Sequence, residues 1–195
     1  MMKILMLNGS HRSGGNTEIL LEVMKKEFEK ENICVESISL ASTSLKHCKV
    51  CDNCATRPLC NITDDDFNSI LGKILEIDVL VIGTPVYVGM PSSKIIAFIQ
   101  RLTYLSMLND QLLKNKIGAA VIVAGEAGHL TALNSIVDFF LVNGMIVPGS
   151  RYWPVGTASK KREIINDTSA LKNVSCLSQN IVKLLKQGSI NETRR

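Results

Sequence analysis

The sequence predicts a single α/β domain built on a doubly wound, five-stranded parallel sheet with helices on both faces. Three observations predict it. Short apolar runs alternate with longer amphipathic stretches along the chain, the pattern of strands joined by helices. The 195 residues amount to one ordinary domain or slightly more, and no repeat, low-complexity block or linker divides them. Hydrophobic residues make up 46% of the chain, enough for a full core without a disulfide or metal staple.

The elements follow in order. Lys3–Leu7 reads as a short buried strand. Thr17–Lys30 sets Ile19, Leu20, Val23, Met24 and Phe28 on one helical stripe. Ile33–Leu40 is a weaker strand. Ala41–Asn61 reads as a long loop, a length that usually carries function. Asp65–Ile77 is helical, capped by Thr63 or Asp64, so that Asp64, Asp65 and Asp66 serve the helix end and its dipole rather than a metal. Asp78–Gly83 is a continuous apolar strand, and Ser92–Met107 a helix. Ile117–Ala124 is another buried strand, followed by a helix from about His129 to Val142. Met145–Pro148 is a short fifth strand, and Ala170–Lys186 a last amphipathic helix. The domain thus covers residues 1–186, with a cysteine loop at 46–62, and Gln187–Arg195 is a polar, frayed tail. Right-handed crossovers leave few topologies for such a chain.

Composition narrows the function. The net charge of +4 is mild, and Lys160, Lys161 and Arg162 form the one basic cluster. It reads as a solvated loop, so no nucleic-acid partner is expected. No stretch approaches the ~20 apolar residues of a membrane span, and Met1–Leu7 is too short for a signal peptide. A soluble cytoplasmic protein is expected. Of six cysteines, Cys48, Cys51, Cys54 and Cys60 lie within 13 residues. Without a secretion signal, such a cluster points to metal or redox chemistry more than to a disulfide framework. Cys34 and Cys176 read as small buried hydrophobes.

Between the first strand and first helix stands Asn8-Gly9-Ser10-His11-Arg12-Ser13-Gly14-Gly15-Asn16-Thr17. A ligand in this architecture binds beyond the carboxyl ends of the strands. The loop has what a phosphate requires: glycines that turn N–H groups inward, hydroxyls on Ser10, Ser13 and Thr17, the Arg12 fork, and the positive end of the following helix. No Gly-Lys-Ser/Thr follows, so it is not a Walker loop, and the Gly-x-Gly-x-x-Gly spacing of dinucleotide folds is missing. A connection that only caps the helix would also be rich in Gly, Ser and Asn.

The segment Asn-Gly-Ser-x-Arg-x-x-Gly-Asn-Thr resembles the FMN phosphate loop of the NADPH-dependent FMN reductase and iron-sulfur flavoprotein group. Gly83-Thr84-Pro85-Val86-Tyr87-Val88-Gly89-Met90-Pro91-Ser92, after the third strand, resembles the Ser/Thr-Pro-Val-Tyr segment of that group. The likeness runs from Met2 to about Lys186. It implies a flavodoxin-like fold of strand order 2-1-3-4-5, with FMN held by Ser10, Arg12, Ser13, Gly15, Asn16 and Thr17. Thr84, Pro85, Val86, Tyr87 and Gly89 would then line the ribityl chain and the ring edge. Gly125, in the Ala124–His129 stretch, would let the backbone approach the flavin. It also implies dimers or tetramers.

The cysteine spacing, Cys48-x2-Cys51-x2-Cys54-x5-Cys60, is close to the compact ferredoxin pattern of thiolate ligands for a 4Fe-4S cluster. Zinc remains open, although its sites usually separate two Cys-x2-Cys pairs by a longer span. Free thiols or a disulfide remain open too. The spacing also resembles the cysteine motif of iron-sulfur flavoproteins, in the same place after the second strand. The expected activity is electron transfer between a one-electron partner such as ferredoxin and a two-electron acceptor, with no side chain acting as acid or base. The alternative is an NAD(P)H-dependent FMN or quinone reductase without a working cluster.

Overall fold

The structure, a computed structural model, describes residues 2–192. Residues 193–195, the end of the expected tail, lie outside it.

Strand β1 (Lys3–Asn8) leads into helix α1 (Asn16–Lys30) and returns to the edge strand β2 (Cys34–Ser39). A long excursion with two 3-10 turns, Leu40–Ser42 and Asn53–Ala55, carries the cysteines to α2 (Phe67–Leu75). Then come β3 (Val79–Tyr87), the two-residue β4 (Met90–Pro91), α3 (Ser93–Met107), β5 (Ile117–Ala124), α4 (His129–Val142), β6 (Val155–Thr157) and α5 (Thr168–Glu192). The parallel strands lie in the order β2-β1-β3-β5-β6. Leaving out the small antiparallel β4 paired to β3, this is the flavodoxin-like order 2-1-3-4-5.

Alternation along the strands divides the core in two. Leu5 and Leu7 of β1, Leu80 and Ile82 of β3, and Ala120 and Ile122 of β5 face α2, α3 and α4. Ile4, Met6, Val79, Val81, Ala119 and Val121 face α1 and α5. Burial on both sides explains why these strands read as unbroken apolar runs.

Four expectations are corrected. The fifth parallel strand is Val155–Thr157, not Met145–Pro148. Ile146 makes one isolated bridge to Ile117, and Pro148 has no N–H to continue it. Val155–Thr157 carries one large apolar residue and a glycine, a weak strand signal. Glycine suits position 156, where a Cβ would stand 2.4 Å from Ile164 Cδ1 and 3.0 Å from Ala170 Cβ. Second, α2 starts at Phe67, and the aspartates before it mostly serve the cysteine loop, as described below. Third, Cys34 is exposed on the edge strand and Cys176 half-buried on α5, so neither is a core residue. Fourth, α5 continues past Lys186 to Glu192.

Candidate functional site

At the carboxyl ends of the strands lies a cleft of about 240 Å³, lined by Ser10, Arg12, Asn16, Thr17, Pro85, Val86, Tyr87, Val123, Gly125, Ala158 and Ser159. The loop that forms its floor is wound tightly. Ser10 N–H donates to Asn8 Oδ1 at 2.9 Å, Arg12 N–H to Ser10 Oγ at 3.1 Å, and Gly15 N–H to the Arg12 carbonyl at 3.1 Å. A Cβ on Gly15 would lie 2.8 Å from that carbonyl oxygen, so only glycine fits this closure. Helix α1 opens on the loop without a side-chain cap. Its first N–H groups are therefore left for an anion, while Glu18 of the first turn accepts from Gly14 N–H at 2.8 Å. Together with the exposed Arg12 and the buried Ser10 and Thr17, this donor set fits a flavin phosphate.

Eight of the expected flavin residues line the cleft: Ser10, Arg12, Asn16, Thr17, Pro85, Val86, Tyr87 and Gly125. Ser13, Gly15, Thr84 and Gly89 do not: Ser13 is exposed at the turn of the loop, and Gly15 closes that turn from within. Thr84 is fully buried, accepts from Ser92 N–H at 3.0 Å and donates to the Pro85 carbonyl at 2.9 Å. It fastens the end of β3 to the start of α3. Gly89 and Val88 have positive φ, +75° and +51°, and make the two-residue turn between β3 and β4, beside the cleft-lining Val86 and Tyr87. Asn16 has other partners as well. Its Nδ2 donates to the Lys160 carbonyl at 2.8 Å and its Oδ1 accepts from Ile164 N–H at 3.3 Å.

Val123, Ala158 and Ser159 were not foreseen. Ser159 Oγ donates to the Gly125 carbonyl at 3.1 Å and links the two loops of the far wall. Lys161, read as part of a solvated cluster, lies against the phosphate loop, with Cε 3.7 Å from where a Gly14 Cβ would be. His129 begins α4, with Nε2 at 3.2 Å from the Gly156 carbonyl and 3.1 Å from Thr157 Oγ1.

The four cysteines meet in a second, narrow cavity, walled by Lys49, Asn61, Ile62, Arg101, Tyr104 and Leu105. Val50 (φ +49°) and Asp52 (φ +56°) make the tight turns between Cys48 and Cys54. Cys54 and Cys60 are buried, Cys48 is half-buried and Cys51 exposed. Burial pushes the Cys54 thiol up, whereas hydrogen bonds from Asn53 bring Cys51 down. Among the described residues, no three His, Cys, Asp or Glu side chains are grouped closely enough to hold a metal ion as they stand. The donor set is four thiols converging on one cavity, and its chemistry fits an iron-sulfur cluster.

Helix α3 is the spine to which the loop is pinned. Lys94 Nζ donates to the carbonyls of Leu40, Ala41 and Thr43 at 2.7, 3.0 and 2.6 Å. Arg101 Nε donates to Cys60 Sγ at 3.0 Å, and Tyr104 hydroxyl to Asp52. That bond pushes the Tyr104 phenol up to about 12. Asn109 Nδ2 donates to the Cys54 carbonyl at 2.8 Å. From α2, Asn68 holds the Cys60 backbone through both its N–H and its carbonyl, each at 2.9 Å. The aspartates expected to cap that helix reach back instead: Asp66 accepts from Ser44 N–H at 2.7 Å, Asp65 from Lys46 N–H at 2.9 Å, and Asp64 pairs with Lys46. Only Asp65, accepting from Phe67 N–H at 3.2 Å, also serves the helix start.

A tightly wound turn with free helix N–H groups at the switch point of a flavodoxin-like sheet, and a separate cavity lined by four thiols, are features of a flavin-dependent oxidoreductase. The comparisons agree. The family model for NADPH-dependent FMN reductase matches residues 2–160. An iron-sulfur flavoprotein of Methanocaldococcus jannaschii is 32% identical over 192 residues, covering 95% of this chain and 98% of the relative. Another from Methanosarcina thermophila is 28% identical over 187 residues, covering 95% and 96%. The solved structure of RosB with a bound formylated riboflavin 5′-phosphate superposes with a TM-score of 0.68 at 22% identity, covering 98% of this chain and 88% of that one. This chain belongs to the NADPH-dependent FMN reductase family, among its iron-sulfur flavoproteins.

Proposed function

We propose that this protein holds FMN in the cleft at Ser10–Thr17 and a 4Fe-4S cluster on Cys48, Cys51, Cys54 and Cys60, and that it passes electrons between a one-electron donor such as ferredoxin and a two-electron acceptor. The observation that carries the reading is the convergence of all four cysteines on one cavity pinned to α3. Flavin exchanges electrons singly or in pairs and a cluster one at a time, so the two together join the two kinds of partner. The chain's part is to hold and orient: α1 and Arg12 take the phosphate, while Pro85–Tyr87 and the Gly125–Ser159 wall close on the rest of the molecule. No side chain needs to act as acid or base.

Thr84 ties the cleft to the first turn of α3, and the cysteine cavity touches that helix at Arg101, Tyr104 and Leu105. At 1.5 Å per residue the two sites are offset by about 12–18 Å along the helix. A flavin from a neighbouring subunit shortens such a gap, so the reading includes a homodimer or homotetramer. The groove between α3 and α4, lined by Met90, Ile96, Ile99, Tyr104, Met107 and Phe139 among others, offers an apolar face for a second copy, and Tyr104 borders both groove and cysteine cavity. Among the described residues no helix is long and apolar enough to cross a membrane, and the reading places the protein in the cytoplasm.

Analysis of protein purified without oxygen tests the assignment. It should give about four iron, four sulfide and one FMN per chain. Serine at Cys48, Cys51, Cys54 or Cys60 should lower iron while FMN stays bound, and serine at Cys34 or Cys176 should leave iron unchanged. Zinc in place of iron after anaerobic reconstitution contradicts the assignment. The family name favours a second reading, in which hydride from NAD(P)H reaches the flavin directly. FMN-loaded protein without iron that oxidises NAD(P)H would establish it.

A further inference from the structure

We propose that Arg101 is a positioning residue for the cysteine cavity, and that its charge raises the reduction potential of the cluster held there. The inference rests on the cluster reading above.

Arginine is almost never fully buried unless its charge and its donors are matched. Arg101 is 1% exposed, on the buried stripe of α3 between Phe98 and Leu105. All three nitrogens of its guanidinium donate hydrogen bonds. Nη1 donates to Asp65 Oδ2 at 2.5 Å and to the Lys46 carbonyl at 3.4 Å, and Nη2 to the Ile62 carbonyl at 2.9 Å. Its face covers the Phe67 ring at 4.1 Å. These contacts join the two ends of the cysteine loop and would suffice for a purely structural part. Apart from these contacts, Nε–H donates to Cys60 Sγ at 3.0 Å.

A cationic N–H on a ligand sulfur favours the cluster state that carries more negative charge, which is the reduced one. Little solvent reaches the pair, so screening is weak. Asp65, whose side chain is also fully buried, offsets part of the same charge. The two residues therefore act on the potential with opposite signs. Removing the cation disfavours reduction, and removing its counter-charge favours it. A residue that only held the loop in shape would give no such reversal.

Mediated redox titration of the anaerobically reconstituted protein, followed by electron paramagnetic resonance, reads this directly, with iron content as the check on loading. At fixed ambient potential, Arg101→Gln should lower the reduced-to-oxidised ratio of the cluster at least tenfold, about 59 mV for a one-electron couple. Asp65→Asn should raise the ratio. Arg101→Lys keeps the charge but cannot place the same N–H on the sulfur, and should fall between parent and Arg101→Gln. It replaces that variant if glutamine prevents loading. Unchanged potentials, or shifts of one sign in the Arg101 and Asp65 variants, overturn the inference and leave the cluster reading intact. A parent protein that takes up no iron overturns both.

Discussion

Asn16→Ala separates the position that the structure gives this residue from the one that the loop motif alone suggests. In the structure Asn16 bridges to the segment after β6, with Nδ2 at 2.8 Å from the Lys160 carbonyl and 3.5 Å from that of Ala158, and Oδ1 at 3.3 Å from Ile164 N. One bond is short and two are long. At about 0.5–1.5 kcal/mol per bond, with the long ones at the low end, truncation costs roughly 1.5–2.5 kcal/mol. Alanine recovers up to about 0.7 kcal/mol as the better helix former, leaving about 1–2 kcal/mol. For a chain of 150–250 residues that lowers Tm by about 2–8 °C. The assay is calorimetry of flavin-free parent and variant, paired with titration by FMN and by riboflavin. Because Ala158 and Ser159 form the far wall of the cleft, both ligands should weaken by a similar factor. An unchanged Tm with selective loss of FMN would refute this reasoning and make Asn16 a direct phosphate ligand.

Arg12→Ala should weaken FMN but not riboflavin, by roughly ten- to a hundredfold, since a lost charge-assisted bond costs about 1.5–3 kcal/mol; equal losses for both ligands would contradict the phosphate assignment. Gly15→Ala sets a Cβ against a backbone carbonyl only 2.8 Å away, so the loop must open and FMN affinity should fall in the same titration while the fold, followed by circular dichroism, is kept. Tyr104, with its phenol pushed up to about 12 by Asp52, should stay protonated where an ordinary tyrosine ionises near 10. Its hydrogen bond then stabilises the cysteine loop below pH 10 and is lost as pH rises through about 12. Difference absorption of parent against Tyr104→Phe checks this, and a phenolate signal already present at pH 10 would rule out the Asp52 bond.

Much of this was legible because local and global signals agree. Continuous apolar runs such as Val79–Ile82 belong to strands buried on both faces, and the glycines and hydroxyls of Asn8–Thr17 mark a tightly wound turn at the carboxyl end of β1. The misplaced fifth strand had a consequence for the site. Met145–Pro148 has the better strand composition, but Val155–Thr157 has the pairing, through Ile122, Val123 and Ala124. Ligand loops follow strands, so placing the strand some ten residues early hid Ala158 and Ser159 from the site. Lys160, Lys161 and Arg162 are exposed, as their composition suggests, but the nearness of Lys161 to the phosphate loop depends on that strand and does not show in the sequence. Around the cysteines, spacing points to a candidate ligand set but not to the side chains that hold the loop. Arg101 stood in plain view as a lone charge within the apolar stripe of α3. Its partner Asp65 reads in the sequence as a helix-end residue, because a sequence does not show that a loop folds back over the helix that follows it.

In the proposed function, electrons reach the flavin through the cysteine site. Stopped-flow reduction of the anaerobic, FMN-loaded protein by a low-potential ferredoxin tests it most directly, with cluster and flavin followed at separate wavelengths. In the parent, flavin reduction should follow cluster reduction at a rate independent of protein concentration. Cys54→Ser should keep its FMN and lose most of that flavin reduction. If the variant reduces its flavin as fast as the parent, the cluster is not on the electron path, and hydride transfer from NAD(P)H takes its place.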